Sequence, residues 1–174
     1  MTESVSPNQL QERFASLLAE CPSGAAAVLA GAMEQRAIAP DEAILSTDVD
    51  SDELLLIWTG RFGVWIGEKD RHRVGTLGPG AWLGDVTFIE PGRPSADVIA
   101  ETDAVVLALS HSQLKTLVEV SPTLARGLLH AVNADLIRRL RTIDSELRGG
   151  EPPQEKDGWL KRMWARMHRA QGGV

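Results

Sequence analysis

The residues whose types and spacing best suit chemistry lie between Val74 and Ala100. Val74-Gly75-Thr76-Leu77-Gly78-Pro79-Gly80-Ala81-Trp82-Leu83-Gly84-Asp85-Val86 reads as a glycine-punctuated strand running into one short helical turn. Ser95-Ala96-Asp97-Val98-Ile99-Ala100 then reads as a strand opened by two small residues. A helix N-terminus offers backbone N–H groups, and glycines and small side chains let a backbone approach closely. Together these features suit a phosphate or another anion. Other candidates do not assemble into a site. Asp48-Val49-Asp50-Ser51-Asp52-Glu53 begins like a calcium loop, but the sixth position is not glycine and Thr59 occupies the twelfth, where a bidentate glutamate is needed. His72, His111, His130 and His168 lack metal-ligand spacing. Cys21 has no base nearby in sequence, so no nucleophile is apparent and the chain is not expected to be an enzyme.

The rest of the chain must position that stretch. Its 174 residues suffice for one domain with a full core and a small appendage. A net charge of −6 argues against general nucleic-acid binding, because an acidic surface repels phosphates. The charge is uneven. Lys156, Lys161, Arg162, Arg166 and Arg169 face only Asp157 in the last 19 residues, leaving the remainder strongly acidic. A single cysteine, no basic-then-apolar leader and no apolar run longer than Gly24 to Met33 predict a soluble, cytoplasmic protein without disulfides.

Ser6-Pro7 predicts a helix start, with Leu10, Phe14, Leu17 and Leu18 on one face, and Pro22-Ser23 starts a second helix reaching about Gln35. The period changes at Arg36. Strands are predicted at 43–45, 53–58, 61–66, 74–77, 96–100 and 104–109, with Thr59-Gly60 and Thr102-Asp103 as turns. Short strands separated by Gly and Pro predict a small antiparallel roll packed by Trp58, Trp65 and Trp82. Ser110 with Gln113 forms a capping box, and Ser121-Pro122 starts a long helix that Gly149-Gly150 stops. The expected organisation is N-terminal helices (1–35), a β-roll (36–110), C-terminal helices (111–148), and a linker with a basic tail helix (149–174).

This layout resembles the cyclic-nucleotide-binding domain of the catabolite-activator family and of protein kinase A regulatory subunits. Three stretches carry the resemblance: Leu54 to Phe62 as the hairpin with its glycine, Leu77 to Asp85 as the start of the phosphate-binding cassette, and Ser95 to Ala100 as its exit strand. The resemblance implies an α+β fold, an antiparallel, jelly-roll-like β-roll (double-stranded β-helix) with N-terminal helices and two C-terminal helices. It implies no resident cofactor but a cyclic nucleotide ligand, cAMP or cGMP, held by Gly84, Asp85, Val86, Arg93, Ser95 and Ala96. In the family a glutamate follows the cassette glycine and holds the ribose hydroxyl, and an arginine directly before the small pair takes the phosphate. Here those positions hold Asp85 and Pro94, with Arg93 one residue early. Aspartate is one methylene shorter, so its carboxylate falls roughly 1.5 Å short. Proline removes both the guanidinium and an N–H. Arg93 swinging in between Pro91-Gly92 and the small pair would restore a bidentate contact. Late in the long helix, Thr142 and Asp144 are the implied base-contacting positions.

Leu129, Leu136 and Ile143 recur every seven residues, as do Asn133, Leu140 and Leu147, which predicts a two-helix seam and a homodimer. Arg138, Arg139 and Arg141 lie off that seam, as expected for a projecting helix. The 26 residues after Arg148 are too few for the winged-helix domain of the family's DNA-binding regulators, so a stand-alone regulatory module is expected. In the tail, residues 158–170, Leu160, Met163, Trp164 and Met167 share one face and basic residues the other. Such a helix suits a protein partner or its own acidic domain, and less well an anionic membrane surface. The alternative function is a ligand-free dimeric scaffold acting through that tail.

Overall fold

The computed structural model describes residues 5–67 and 71–148. The predicted tail helix lies outside them. Two helices, α1 (Pro7–Arg13) and α2 (Ala25–Ala32), lead into eight strands. These are β1 (Glu34–Ile38), β2 (Ala43–Leu45), β3 (Glu53–Thr59), β4 (Phe62–Ile66), β5 (His72–Leu77), β6 (Trp82–Leu83), β7 (Asp97–Ala100) and β8 (Ala104–Ser110). The short helix α3 (Asp85–Ile89) interrupts them, and α4 (His111–Val120) and α5 (Pro122–Arg148) follow β8.

The strands form two four-stranded antiparallel sheets, in the orders β1-β8-β3-β6 and β2-β7-β4-β5. The first sheet is covered on both faces, and this explains its sequence. Along β3, Leu55 and Ile57 join Phe62, Val64, Leu77 and Val98 in a core between the sheets. Leu54 and Leu56 join Phe14, Leu29, Phe88, Leu117 and Leu128 in a second core under the helices. A strand buried on both faces needs a continuous apolar run, as in Leu54-Leu55-Leu56-Ile57. Each fully buried leucine there is worth about 2–5 kcal/mol against alanine.

Most predicted elements are present, with three differences. The first helix ends at Arg13, yet Phe14, Leu17 and Leu18 stay buried through the turns that follow. Strand β1 starts at Glu34, inside the stretch read as helix, because pairing with β8 overrides local preference. The two-residue β6 was not expected as a strand, and its pairing with Leu55 and Leu56 positions the site. The capping box is formed: Ser110 Oγ accepts the Gln113 N–H at 3.2 Å and Gln113 Oε1 accepts the Ser110 N–H at 2.7 Å. Helix α5 runs 27 residues, about 40 Å. Gly127 lets it press on the α1–α2 connection, since a Cβ there would lie 2.5 Å from the Glu20 carbonyl oxygen.

Candidate functional site

Strand β6 delivers Gly84 against β3. Gly84 adopts φ +78°, and a Cβ there would lie 2.1 Å from the Glu53 carbonyl oxygen, so no other residue fits. From this position α3 begins. The Gly84 carbonyl accepts the Phe88 N–H at 2.8 Å and the Thr87 hydroxyl at 3.0 Å. Asp85 Oδ1 accepts the Val86 N–H at 2.9 Å. Phe88 is fully buried and anchors the turn. The following loop is pinned by paired backbone hydrogen bonds between Ser51 and Gly92, at 2.8 and 3.0 Å. Beyond it Ser95-Ala96 leads into β7, where Asp97 Oδ1 accepts the Thr47 N–H at 2.7 Å and its hydroxyl at 3.0 Å.

These pieces line one cavity, partly open to solvent. Gly84, Asp85, Val86, Ser95 and Ala96 all line it, together with Pro94, Thr87 and an apolar floor from Leu45, Val64, Leu77 and Trp82. Arg93 does not. Its side chain is 70% exposed and its Nε lies 3.9 Å from Asp50 on the acidic loop, outside the cavity wall. The structure does not bring Arg93 into the site, and Pro94 stands where the loop's cation would be. Thr142 and Asp144 do not line the cavity either; the Thr142 hydroxyl donates to the Arg138 carbonyl within α5. The cavity measures about 80 Å³, well below the ~300–1,000 Å³ typical of small-molecule sites. The cavity is partly open to solvent, and its volume is smaller than a nucleotide-sized ligand fills.

Arg139 of α5 forms part of that wall. Its Nη1 lies 2.9 Å from Asp85 Oδ2 and its Nη2 2.5 Å from Asp135 Oδ2. Arg138 pairs with the other oxygen of Asp135. Asp85, Asp135 and Arg139 are 8%, 2% and 15% exposed at the side chain, so this is a buried cluster. Burial pushes the Arg139 guanidinium below its ordinary value while Asp85 pulls it back up. An arginine keeps its charge regardless. Its Nε is buried with no hydrogen-bond acceptor, as is Trp82 Nε1 in the same wall. A buried donor without an acceptor costs about 1–3 kcal/mol. The sequence reading placed Arg139 off the seam on a projecting helix; instead it sits in the inward row with Leu128, Val132 and Asp135. The spacing 128, 132, 135, 139 was the available signal, because an arginine continuing a core row must find a buried acid.

A second tie joins cassette and C-terminal helices. His111, the first residue of α4, donates from Nδ1 to the Phe88 carbonyl at 2.9 Å. Among the described residues no His, Cys, Asp and Glu side chains gather into a metal-binding group, and no helix is long and apolar enough to cross a membrane.

Fold and site together define a class: a β-roll module organised around a glycine-started cassette. The profile described as "Cyclic nucleotide-binding domain" matches residues 35–121, and the chain belongs to that family. It is similar to the "Cyclic AMP receptor protein" of Thermus thermophilus, 33% identical over 97 residues, covering 54% of this chain and 43% of the relative. It is also similar to the "Pycsar effector protein PaPycTIR" of Pseudomonas aeruginosa, 29% identical over 111 residues, covering 63% of this chain and 33% of the relative. The chain thus spans less than half of each curated relative. A cyclic nucleotide-binding domain from Methylobacillus flagellatus superposes with a TM-score of 0.70 at 23% identity, over 86% of this chain and 88% of that one.

Proposed function

We propose that this chain is a regulatory module that binds a cyclic nucleotide, or a related anion, between Gly84-Asp85 and Ser95-Ala96 and relays occupancy through its C-terminal helices. The observation that carries the reading is the Asp85–Arg139 ion pair, which ties the cassette directly to α5. Any ligand that engages Asp85 competes with that tie and so differs in affinity between two positions of α5, which is what a relay requires. The names of two relatives, a cyclic AMP receptor protein and an effector protein, support a signalling role. Homodimerisation fits the seam: Leu129, Leu136 and Ile143 are half-buried and Leu140 is 64% exposed, beside the buried row. Leu140→Glu is expected to lower the mass measured by light scattering from dimer to monomer.

The test is thermal unfolding with millimolar cAMP or cGMP. Ligand at 100 times its Kd adds about 2.7 kcal/mol, a shift of roughly 5–11 °C at this chain length. No shift with either nucleotide overturns the cyclic-nucleotide reading. The ligand-free scaffold, acting through the seam and residues 158–170, would then take its place. One observation favours that alternative: Pro94 lines the cavity while Arg93 faces Asp50.

A further inference from the structure

We infer that Arg139, and not Arg93, takes the ligand's negative charge, and that it does so by exchanging partners with Asp85. This rests on the reading above and names how its site would work. A negative charge entering the cavity needs a cation in the wall. Arg93 is outside and Pro94 has neither charge nor N–H to offer. Among the described residues Arg139 is the cationic side chain lining the cavity, and its buried Nε lacks an acceptor that a phosphate oxygen would supply.

Charge balance sets the form of the exchange. Asp85 and Asp135 face Arg139 and Arg138, so the cluster is neutral as it stands. An added anion is tolerated in a buried site only if a carboxylate leaves Arg139 or finds a hydrogen donor elsewhere. Asp135 stays neutralised by Arg138. Asp85 is therefore the group that turns away, and a hydroxyl neighbouring the phosphate gives its carboxylate a donor. The ligand must then carry an anionic group and a hydroxyl close together, spanning the gap between Asp85 Oδ2 and Arg139. In the empty state α5 is held by a protein carboxylate; in the bound state it is held through the ligand. The same arginine binds the ligand and reports it.

The experiment is calorimetric titration of the full chain with cAMP and cGMP, comparing wild type with Arg93→Gln, Arg139→Lys and Asp85→Asn. Arg93→Gln should bind within about 2-fold of wild type. Arg139→Lys keeps the charge but loses the fork and should weaken binding roughly 10- to 100-fold. Asp85→Asn removes the competing charge yet keeps an acceptor for the hydroxyl, so binding should tighten. Arg139→Gln is the stronger variant where circular dichroism shows that it folds, and should abolish binding. Loss in Arg93→Gln with retention in Arg139→Lys overturns the assignment of Arg139 while the proposed function stands. Weaker binding in Asp85→Asn overturns the exchange of partners. Failure of wild type to bind either nucleotide removes both the function and this inference.

Discussion

Two clusters of arginines and carboxylates occupy opposite sides of the second sheet, and they differ in almost everything except residue type. On the outer face, Arg61 and Arg73 both pair with Glu101, and Arg71 lies 2.5 Å from Asp97; the three arginines are 42–60% exposed. At the cassette, Asp85, Asp135 and Arg139 are nearly enclosed. Water screens the arginines of the first cluster, and Asp97 keeps its two Thr47 hydrogen bonds when Arg71 is lost, so each pair contributes little. The second is shielded from water, so each charge depends on the others and removing one strands the rest. The proposed relay is placed in the enclosed cluster for that reason. It can be altered only by something that supplies a replacement partner, and a ligand is such a thing.

Arg139→Ala should therefore produce the largest effect. It removes the Asp85 ion pair and one of the two arginines that pair with Asp135, which is expected to cost about 3–5 kcal/mol. At this chain length the midpoint of thermal unfolding should fall by roughly 6–20 °C. Asp85→Asn should relieve part of that penalty in the double variant, giving a coupling of about 0.5–3 kcal/mol in the cycle. A loss below about 1 kcal/mol for Arg139→Ala would place the enclosed cluster in the same class as the outer one.

The backbone that seats the enclosed cluster comes next. Gly84→Ala puts a Cβ 2.1 Å from the Glu53 carbonyl oxygen at φ +78°, so Asp85 and β3 must separate. A cost of about 2–3 kcal/mol is expected. In the same cassette, Gly92→Ala meets nothing nearer than 4.0 Å and should lie within about 0.5 kcal/mol of wild type. Equal effects at the two glycines would show that the loop, and not the start of α3, holds the cassette in shape.

How much of this was legible follows the range of each interaction. The capping box at Ser110, the doubly buried run at β3 and the glycine that starts α3 are local patterns, and all three could be read directly. Gly84, Asp85, Val86, Ser95 and Ala96 were grouped by the family resemblance, and all five line one cavity. Strand β1 was not, because its partner β8 lies some 70 residues away and local preference said nothing about it. For Arg139 the row 128, 132, 135, 139 gave a local sign of burial beside Asp135, but its tie to the cassette was out of local reach, because Asp85 is 54 positions earlier. Arg93 was favoured because it neighbours Pro94, but the Ser51–Gly92 bridge turns this part of the loop toward Asp50.

The outer cluster gives the smallest effects and a distinct signature. Arg71→Ala and Arg73→Ala should each cost less than about 1 kcal/mol, and the difference from wild type should shrink in 1 M salt, where screening acts over about 3 Å. Acid should reveal the same pairs. Partial burial pushes Asp97 up, but the Thr47 N–H and hydroxyl and the Arg71 guanidinium together hold it below its ordinary value. Glu101 follows the same pattern, with Arg61 and Arg73 outweighing desolvation. A carboxyl whose folded pKa is depressed adds stability above its unfolded value and loses it as the pH falls through the folded one. Chemical denaturation midpoints should thus be flat from neutral pH down to the ordinary carboxylate range and then decline. Arg71→Ala, lacking one of the groups that depress Asp97, should decline less steeply there, so the gap between variant and wild type closes in acid. A gap that widens in acid would mean that Arg71 acts on Asp97 by repositioning it instead of by its charge.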